Sequence, residues 1–419
     1  MVRKSNTFVA IDIGTTKVCT LVGDRNIEGD LRVLGIGMAP STGISKGMVS
    51  SIQDTIESVR VSVAKAERAA GTRILAAHVG ITGNHIDSIN NRGIIAVPNS
   101  EKAISREDVE RVLDGAGMVS LPSNRRIMHV LPRHFEVDGQ SGVTDPVGMF
   151  GLRLDVEAHV ITGAQSAIQN LTRCVEAVGV QVENLVLQPL ASGDAVLDDE
   201  ERRQGVVLAD IGGGTTDIAI WVDGAVYHTS VLPVGGYHLT KDLVVGLRTP
   251  FHIAEDAKSR YGHALPSQVS ADDAIEIDAF GGERRRQVTR RRLCEIIQAR
   301  AEEVLEMIFV EVKRAGFEEQ ISAGLILTGG SARLPGLDEL AEQVLAVPVR
   351  IGYPRGVTGL IDNLQDPAYA TSVGLLKWAA HGGEAPDGAV RKSSGGASPS
   401  TLPRIFRWMG DLVKALLPA

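Results

Sequence analysis

The chain has 419 residues, 43 Lys and Arg against 51 Asp and Glu, a net charge of −8, and 43% apolar residues. The acidic balance and the 4% aromatic content exclude a general nucleic-acid binder, which needs a basic stripe and a stacking platform, and the apolar content excludes bulk disorder. Cys19, Cys174 and Cys294 lie far apart, no run of 18 apolar residues occurs and the first residues are polar. The expectation is therefore a reducing compartment, no disulfide or zinc framework, no spanning helix and no signal peptide, over about two to three domains.

In chain order, the first element is an apolar strand, Phe8-Val-Ala-Ile-Asp12, followed by Ile-Gly14-Thr15-Thr16 and a second strand from Lys17. The same phrase returns as Val206-Val-Leu-Ala-Asp210-Ile-Gly212-Gly213-Gly214-Thr215-Thr216. A strand, a Gly/Thr turn and an alternating strand predict a β-hairpin. Two copies predict two related α/β halves, each a three-layer core. Apolar 3.6-residue spacing predicts helices over 52–70, 166–178, 292–315 and 337–345. Segments 85–156 and 231–310 read as inserted subdomains. This leaves a first core over 1–84 and 157–200 and a second over 201–230 and 311–381.

Each Gly/Thr turn points several backbone N–H groups into one concavity, a nest suited to phosphate oxygens. Thr15, Thr16, Thr215 and Thr216 add hydroxyl donors, and Lys17 supplies a point charge for a β- or γ-phosphate. Asp12 and Asp210, each ending a strand, can hold Mg²⁺ through water. Asp217 is expected to support the second turn. The plainer reading of a single turn is a tight hairpin; its Asp-led duplication favours phosphate. A third glycine turn, Ile326-Leu-Thr-Gly329-Gly330-Ser331-Ala-Arg333, again ends a strand and precedes a helix, so a flat base or ribose can approach its backbone. Small residues four apart, Ala191 with Ala195 and Ala370 with Gly374, predict two helices that cross closely at an interdomain hinge.

These three loops, in this order, resemble the actin, chaperone and sugar-kinase ATPase superfamily over residues 7 to about 380. More specific strings, Asp210-Ile-Gly-Gly-Gly-Thr-Thr-Asp217, Pro233-Val-Gly-Gly236-Tyr-His-Leu-Thr-Lys-Asp242, Gly246-Leu-Arg-Thr-Pro250 and Pro146-Val-Gly-Met-Phe-Gly-Leu-Arg-Leu154, are similar to the FtsA family of bacterial division proteins. The resemblance implies an actin-like, ribonuclease H-like duplicated fold around a nucleotide cleft. It implies ATP and Mg²⁺ as cofactors, with Gly236, Glu255 and Lys258 near the nucleoside. Without it, Glu255 and Lys258 are a solvated i,i+3 pair. Gln188 stands where relatives often carry a glutamate before the proline. A glutamine orients a water without taking its proton, so tight binding with slow hydrolysis is expected, with Gln188, Asp12 and Asp210 as the catalytic set.

Residues 382–401 are rich in Gly, Ser, Pro and Ala and read as a flexible linker. Within 402–419, Ile405, Trp408, Met409, Leu412 and Leu416 follow helical spacing, widened by Phe406, Val413 and Leu417, with Arg404, Arg407 and Lys414 on the narrow polar face. Residues 391–419 hold five cations and one acid in an otherwise acidic chain. That pattern predicts a helix lying in a bilayer interface; the plainer alternative is a helix docked on the protein's own core. The family ends in such a helix.

The resemblance also implies filament formation by self-association, anchoring of the FtsZ ring at the inner membrane face at the septum, and contact with other division proteins. It places the basic run 284–292 in the subdomain that receives the FtsZ C-terminal peptide, with Arg292 and Arg300 as candidate contacts. The plainer reading of that run is a solvated helix start. Rival functions are a small-molecule kinase of the same superfamily and a PilM-like pilus-assembly protein. No H-x-x-x-H, H-E-x-x-H or G-x-S-x-G spacing supports a metal triad or an acyl hydrolase.

Overall fold

The computed structural model describes residues 7–26, 28–97, 103–280, 285–362 and 364–381. The expected linker over 382–401 and the expected interfacial helix with its residues Arg404 to Leu417 fall outside the described residues, as does Arg284. Among the described residues no helix is long and apolar enough to cross a membrane.

The first half opens with the expected hairpin, β1 (Thr7–Ile13) and β2 (Lys17–Arg25), extended by β3 (Leu31–Pro40) and, after a two-residue hairpin β4 (Ile44–Ser45) and β5 (Met48–Val49), by helix α1 (Ile52–Ala70). Helix α1 has the predicted bounds because both ends are written into the sequence. Ser51 caps its start by accepting from Asp54 N–H, and Gly71 ends it in the left-handed conformation at φ 65°. Strand β6 (Ala76–Ile81) pairs parallel with β1.

The inserted subdomain follows: β7 (Asp87–Ala96), α2 (Arg106–Ala116), β8 (Arg125–Val137), β9 (Gln140–Val143) and β10 (Arg153–Ala164). Its sheet has the order β7-β10-β8-β9, with α2 packed on it, and β10 pairs with β7 as far as Thr162 and with β8 as far as Ala164. Helix α3 (Gln165–Glu176), β11 (Gln181–Leu187), α4 (Gln188–Val196) and α5 (Asp199–Gln204) complete this half.

The second half repeats the plan with β12 (Val206–Ile211), β13 (Thr216–Val222) and β14 (Ala225–Leu232). Its insertion contains α6 (Gly236–Leu247), α7 (Phe251–Tyr261), the hairpin β15 (Ala274–Asp278) and β16 (Arg285–Thr289), and the start of the long helix α8 (Arg290–Ala315). Then come β17 (Leu325–Thr328), a 3₁₀ turn at Gly330–Arg333, α9 (Leu337–Leu345), β18 (Val349–Ile351), the short β19 (Thr358–Gly359) beside β3, and α10 (Ala370–Ala380).

The duplication is visible in the topology. In one sheet five strands run β11-β6-β1-β2-β3, with the short β19 added beyond β3; in the other the order is β18-β17-β12-β13-β14. Both have two antiparallel pairings on one side of the central strand and two parallel pairings on the other. Helices α4 and α10 pack together between the sheets, in a core that joins Leu21 and Cys19 of the first to Leu208, Trp221 and Ile326 of the second. Separate cores lie outside each sheet, one around Val59 and Val63 of α1, the other around Leu305 and Leu340 of α8 and α9. The actin-like α/β class expected from the sequence is the class observed, with α4 and α10 as the expected crossing pair.

A cleft between the two halves as candidate functional site

The first loop closes on itself through Gly14 N–H donating to Lys17 O at 3.0 Å, and the second through Gly212 N–H donating to Thr215 O at 2.9 Å. The loops abut: a Cβ on Gly213 would stand 2.4 Å from Thr16 Cγ2, and one on Gly214 would stand 2.8 Å from Thr15 Oγ1. Glycine is needed there because each loop fills the space the other's side chain would take. The third loop seats Gly329, at φ 86°, against Asp210 and the Ile211 carbonyl, with 2.3 Å between a hypothetical Cβ and Asp210 Oδ1. Ser331 Oγ donates to Gly212 O at 3.1 Å, which ties the third loop to the second.

These loops line a cleft of about 460 Å³, together with Asp12, Lys17, Gln188, Gly236, Glu255, Lys258 and Arg333. Gly214 and Thr216 stand outside the lining. Gly214 packs on Thr15, and Thr216 faces the second core, where its hydroxyl donates to Val234 O at 2.9 Å. The reason is strand alternation: Thr216 opens β13, one position out of phase with Thr215.

Gly236 opens α6 with its N–H on Gly212 O at 2.9 Å, so the helix start is pinned to the second loop. Lys258 Nζ donates to Gly236 O, Thr240 Oγ1 and Glu255 Oε2 at 3.2, 2.9 and 2.8 Å. Thr240 also donates to Glu255. Glu255 and Lys258 are thus a structured corner of the cleft rather than a solvated pair. Lys17 Nζ reaches Ala368 O at 2.5 Å and lies 4.5 Å from the Tyr369 ring centroid. Arg333 pairs with Asp366 at 3.1 Å on the rim.

Three carboxylates stand at the floor. Asp12 and Asp210 are each 7% exposed, and burial pushes both above the usual carboxylate range against the opposing pull of Lys17 and of hydroxyl donors. Asp217 is pushed up to about 7 by burial and by the nearby Asp210 charge. Asp217 accepts from Thr215 Oγ1 at 3.2 Å, as expected of a support for the turn, and also from Thr82 of the other half. Gln188 Nε2 lies 3.4 Å from Asp12 Oδ1.

No group of three or more His, Cys, Asp or Glu among the described residues could hold a metal by itself. Two carboxylates beside phosphate-type nests do suit Mg²⁺, which keeps most of its shell as water and phosphate oxygen. The buried negative charge at Asp12 and Asp210 is of the sign a divalent cation compensates.

Arg292 and Arg300 stand outside this lining, both on α8. Arg292 pairs with Glu295 at 3.0 Å, and Arg300 with Asp242 at 2.5 Å and with Glu303. Residues not singled out from sequence also enter the cleft: Thr82, Tyr237, Pro335, Ala368, Tyr369 and Thr371. Thr371 belongs to the small-residue string at 370–374, where two successive hydroxyls in a buried helix were the available signal.

Residues 207–374 match the family model for cell division protein FtsA, and residues 83–162 match that for the SHS2 domain inserted in FtsA. The cell division protein FtsA of Pseudomonas aeruginosa is 41% identical over 414 residues, 97% of this chain and 98% of that protein. Among solved structures, the PilM–PilN type IV pilus biogenesis complex superposes with a TM-score of 0.65 at 15% identity, over 89% of this chain and 98% of that one. MreB5 of Spiroplasma citri bound to ADP gives 0.54 at 13% identity, over 89% and 96%. At such identities the last two speak for the fold alone.

Proposed function

The chain belongs to the FtsA family, so it is an actin-like cell division protein, and on that premise we propose that it binds ATP with Mg²⁺ in this cleft and polymerises on the inner membrane face, where it tethers the FtsZ ring at the septum. The observation that carries the nucleotide reading is the convergence of three glycine loops and two buried carboxylates on one cleft. The N–H groups of Thr15, Thr16, Gly213 and Thr215, on loops held closed by the Gly14 and Gly212 N–H bonds, would cradle the phosphates, with Lys17 adding charge. Asp12 and Asp210 would hold Mg²⁺ through water, which neutralises phosphate charge when bound. Gly329, Gly330 and Ser331 leave the backbone open to the nucleoside, and the Glu255–Lys258 corner offers polar partners to the ribose. A solved relative in fold, MreB5, is described as bound to ADP.

Gln188, placed against Asp12, can orient a water but cannot accept its proton. Hydrolysis is therefore slow, and nucleotide acts chiefly as a conformational ligand. The family and the basic composition of 391–419 support the tether. Each cation near an anionic leaflet contributes about 1 kcal/mol, so one tail binds reversibly and a polymer adds avidity. Arg292 and Arg300 are proposed contacts for the acidic FtsZ peptide, and their ion pairs on α8 would exchange partners on docking.

Co-sedimentation with anionic vesicles in the presence of ATP tests this reading, comparing the full chain with one ending at residue 381. The full chain should pellet and the shortened chain should stay in solution. Equal pelleting would remove the tether.

A further inference from the structure

The two carboxylates of the cleft floor are held in a pattern that no loop motif announces. Asp12 receives Gln188 Nε2 from α4 at 3.4 Å and the Ser372 hydroxyl from α10 at 2.7 Å. Asp210 receives the Ser192 hydroxyl from α4 at 2.5 Å and the Thr371 hydroxyl from α10 at 2.8 Å. Each aspartate thus takes one donor from each hinge helix. Ser192 Oγ and Thr371 Oγ1 lie 3.0 Å apart because both place their single proton on the same Asp210 Oδ2, which brings the two helices together at that oxygen. All three hydroxyl residues are buried. Asp12 and Asp210 sit in strands of different halves, β1 and β12, while both helices run between the two sheets.

The geometry points to Ser192, Thr371 and Ser372 as positioning residues that make the orientation of both metal-facing carboxylates a function of how α4 crosses α10. This inference rests on the nucleotide reading above and deepens it. At Asp210 both hydroxyls engage Oδ2 and leave Oδ1 for a metal-bound water, whereas Asp12 takes one donor on each oxygen, which fixes the plane of its carboxylate; the donors also favour the ionised acid. Because one donor comes from each helix, a change in crossing angle moves the donors at both aspartates together. Divalent cation and hinge angle are then linked reciprocally: closure prepares the metal site, and the cation favours closure. Gln188 alone could not do this, since it reaches only one of the two carboxylates.

The test is a Mg²⁺ titration of ATP binding to the full chain, followed by calorimetry, for wild type and for S192A, S372A, T371V and T371S. Ligand-free melting in EDTA reads the fold separately. The Mg²⁺ concentration at half effect should rise about tenfold to a hundredfold in S372A, S192A and T371V, the change expected from losing one hydrogen bond to a charged group, while ATP affinity in EDTA changes less than about twofold. T371S keeps the hydroxyl and should titrate as wild type. In a D12N background S372A should shift the midpoint no further, whereas S192A still should, because it acts through Asp210.

An unchanged midpoint in S372A and S192A overturns the inference. So does a parallel loss of affinity in EDTA, which would make the hydroxyls general supports of the cleft. If an alanine variant fails to fold, the T371V and T371S pair decides: equal shifts, or none, refute positioning. Absence of saturable Mg²⁺-dependent ATP binding in the wild type would instead refute the nucleotide reading itself, and that outcome is visible before any variant is compared.

Discussion

Gly374 of α10 meets Ala191 of α4 so closely that a Cβ on the glycine would stand 1.7 Å from the Ala191 carbonyl oxygen. No side chain fits there without moving a helix, and these helices join the two halves of the molecule. The crossing is therefore a backbone-to-backbone contact, with the cleft floor attached to both of its helices.

G374A should separate the helices at the cost of overpacking, about 1–3 kcal/mol or more of stability, with a fall of a few degrees in Tm. ATP affinity should fall with it, since Asp12 and Asp210 follow the helices. Calorimetric melting and ATP titration of the same variant read both effects. Unchanged melting would mean that the contact yields freely.

Asp217 gives the cleft a pH signature. Its folded pKa of about 7 lies above the unfolded value of about 3.9, so the folded state holds the proton more tightly. Asp217 thereby favours the folded state when protonated, and this contribution is lost as pH rises toward and through about 7. D217N, which cannot ionise, should raise Tm relative to wild type at about pH 8 by a few degrees and leave it nearly unchanged at about pH 4. Melting curves across that range check the sign.

His159 acts in the opposite direction. It fastens the inserted sheet to the edge strand of the second half, with Nδ1 2.7 Å from Asn90 Oδ1 and Nε2 3.0 Å from Thr229 Oγ1. Burial lowers its pKa to about 3, so the folded state holds it neutral while the unfolded chain protonates below about 6.5. Stability is lost as pH falls below that value, by about 2 kcal/mol at about pH 5 for this group. H159Q should be less stable than wild type at neutral pH and should lose less on acidification. An equal acid sensitivity in the variant would contradict the assignment.

For the tail, alanine at Arg404, Arg407 and Lys414 together should weaken binding to anionic vesicles about 100-fold, at about 1 kcal/mol per cation. Binding to neutral vesicles should change little, and rising salt should shrink the difference. Flotation assays at two salt concentrations measure it.

Some of this was legible in the residues. The hairpins at Asp12 and Asp210 are local, with pairing partners only a few residues apart, so strand, turn and repeat can all be read directly. Helix α1 carried its own start signal in Ser51 and stop signal in Gly71. The crossing of α4 and α10 was signalled by alanine and glycine at helical spacing. What escaped was long-range. Thr82 enters at the end of β6 and meets Asp217 only after the halves assemble. Ser372 reaches Asp12 across 360 positions, and the adjacent hydroxyls of Thr371 and Ser372 mark a polar spot in the helix without a spacing that predicts which partner each one meets. Thr216 was misread as a donor into the cleft, although the period-two rule already sent it to the opposite face from Thr215.

The measurement closest to the central claim is equilibrium binding of ATP with Mg²⁺ to the wild-type chain and to G329V, whose side chain would enter the space beside Asp210. One saturable site per chain in the wild type, weakened at least about 100-fold in a variant that still melts cooperatively, is the result predicted from a collision of backbone and carboxylate in the binding loop. Equal binding by the two proteins, or none by the wild type, would contradict it.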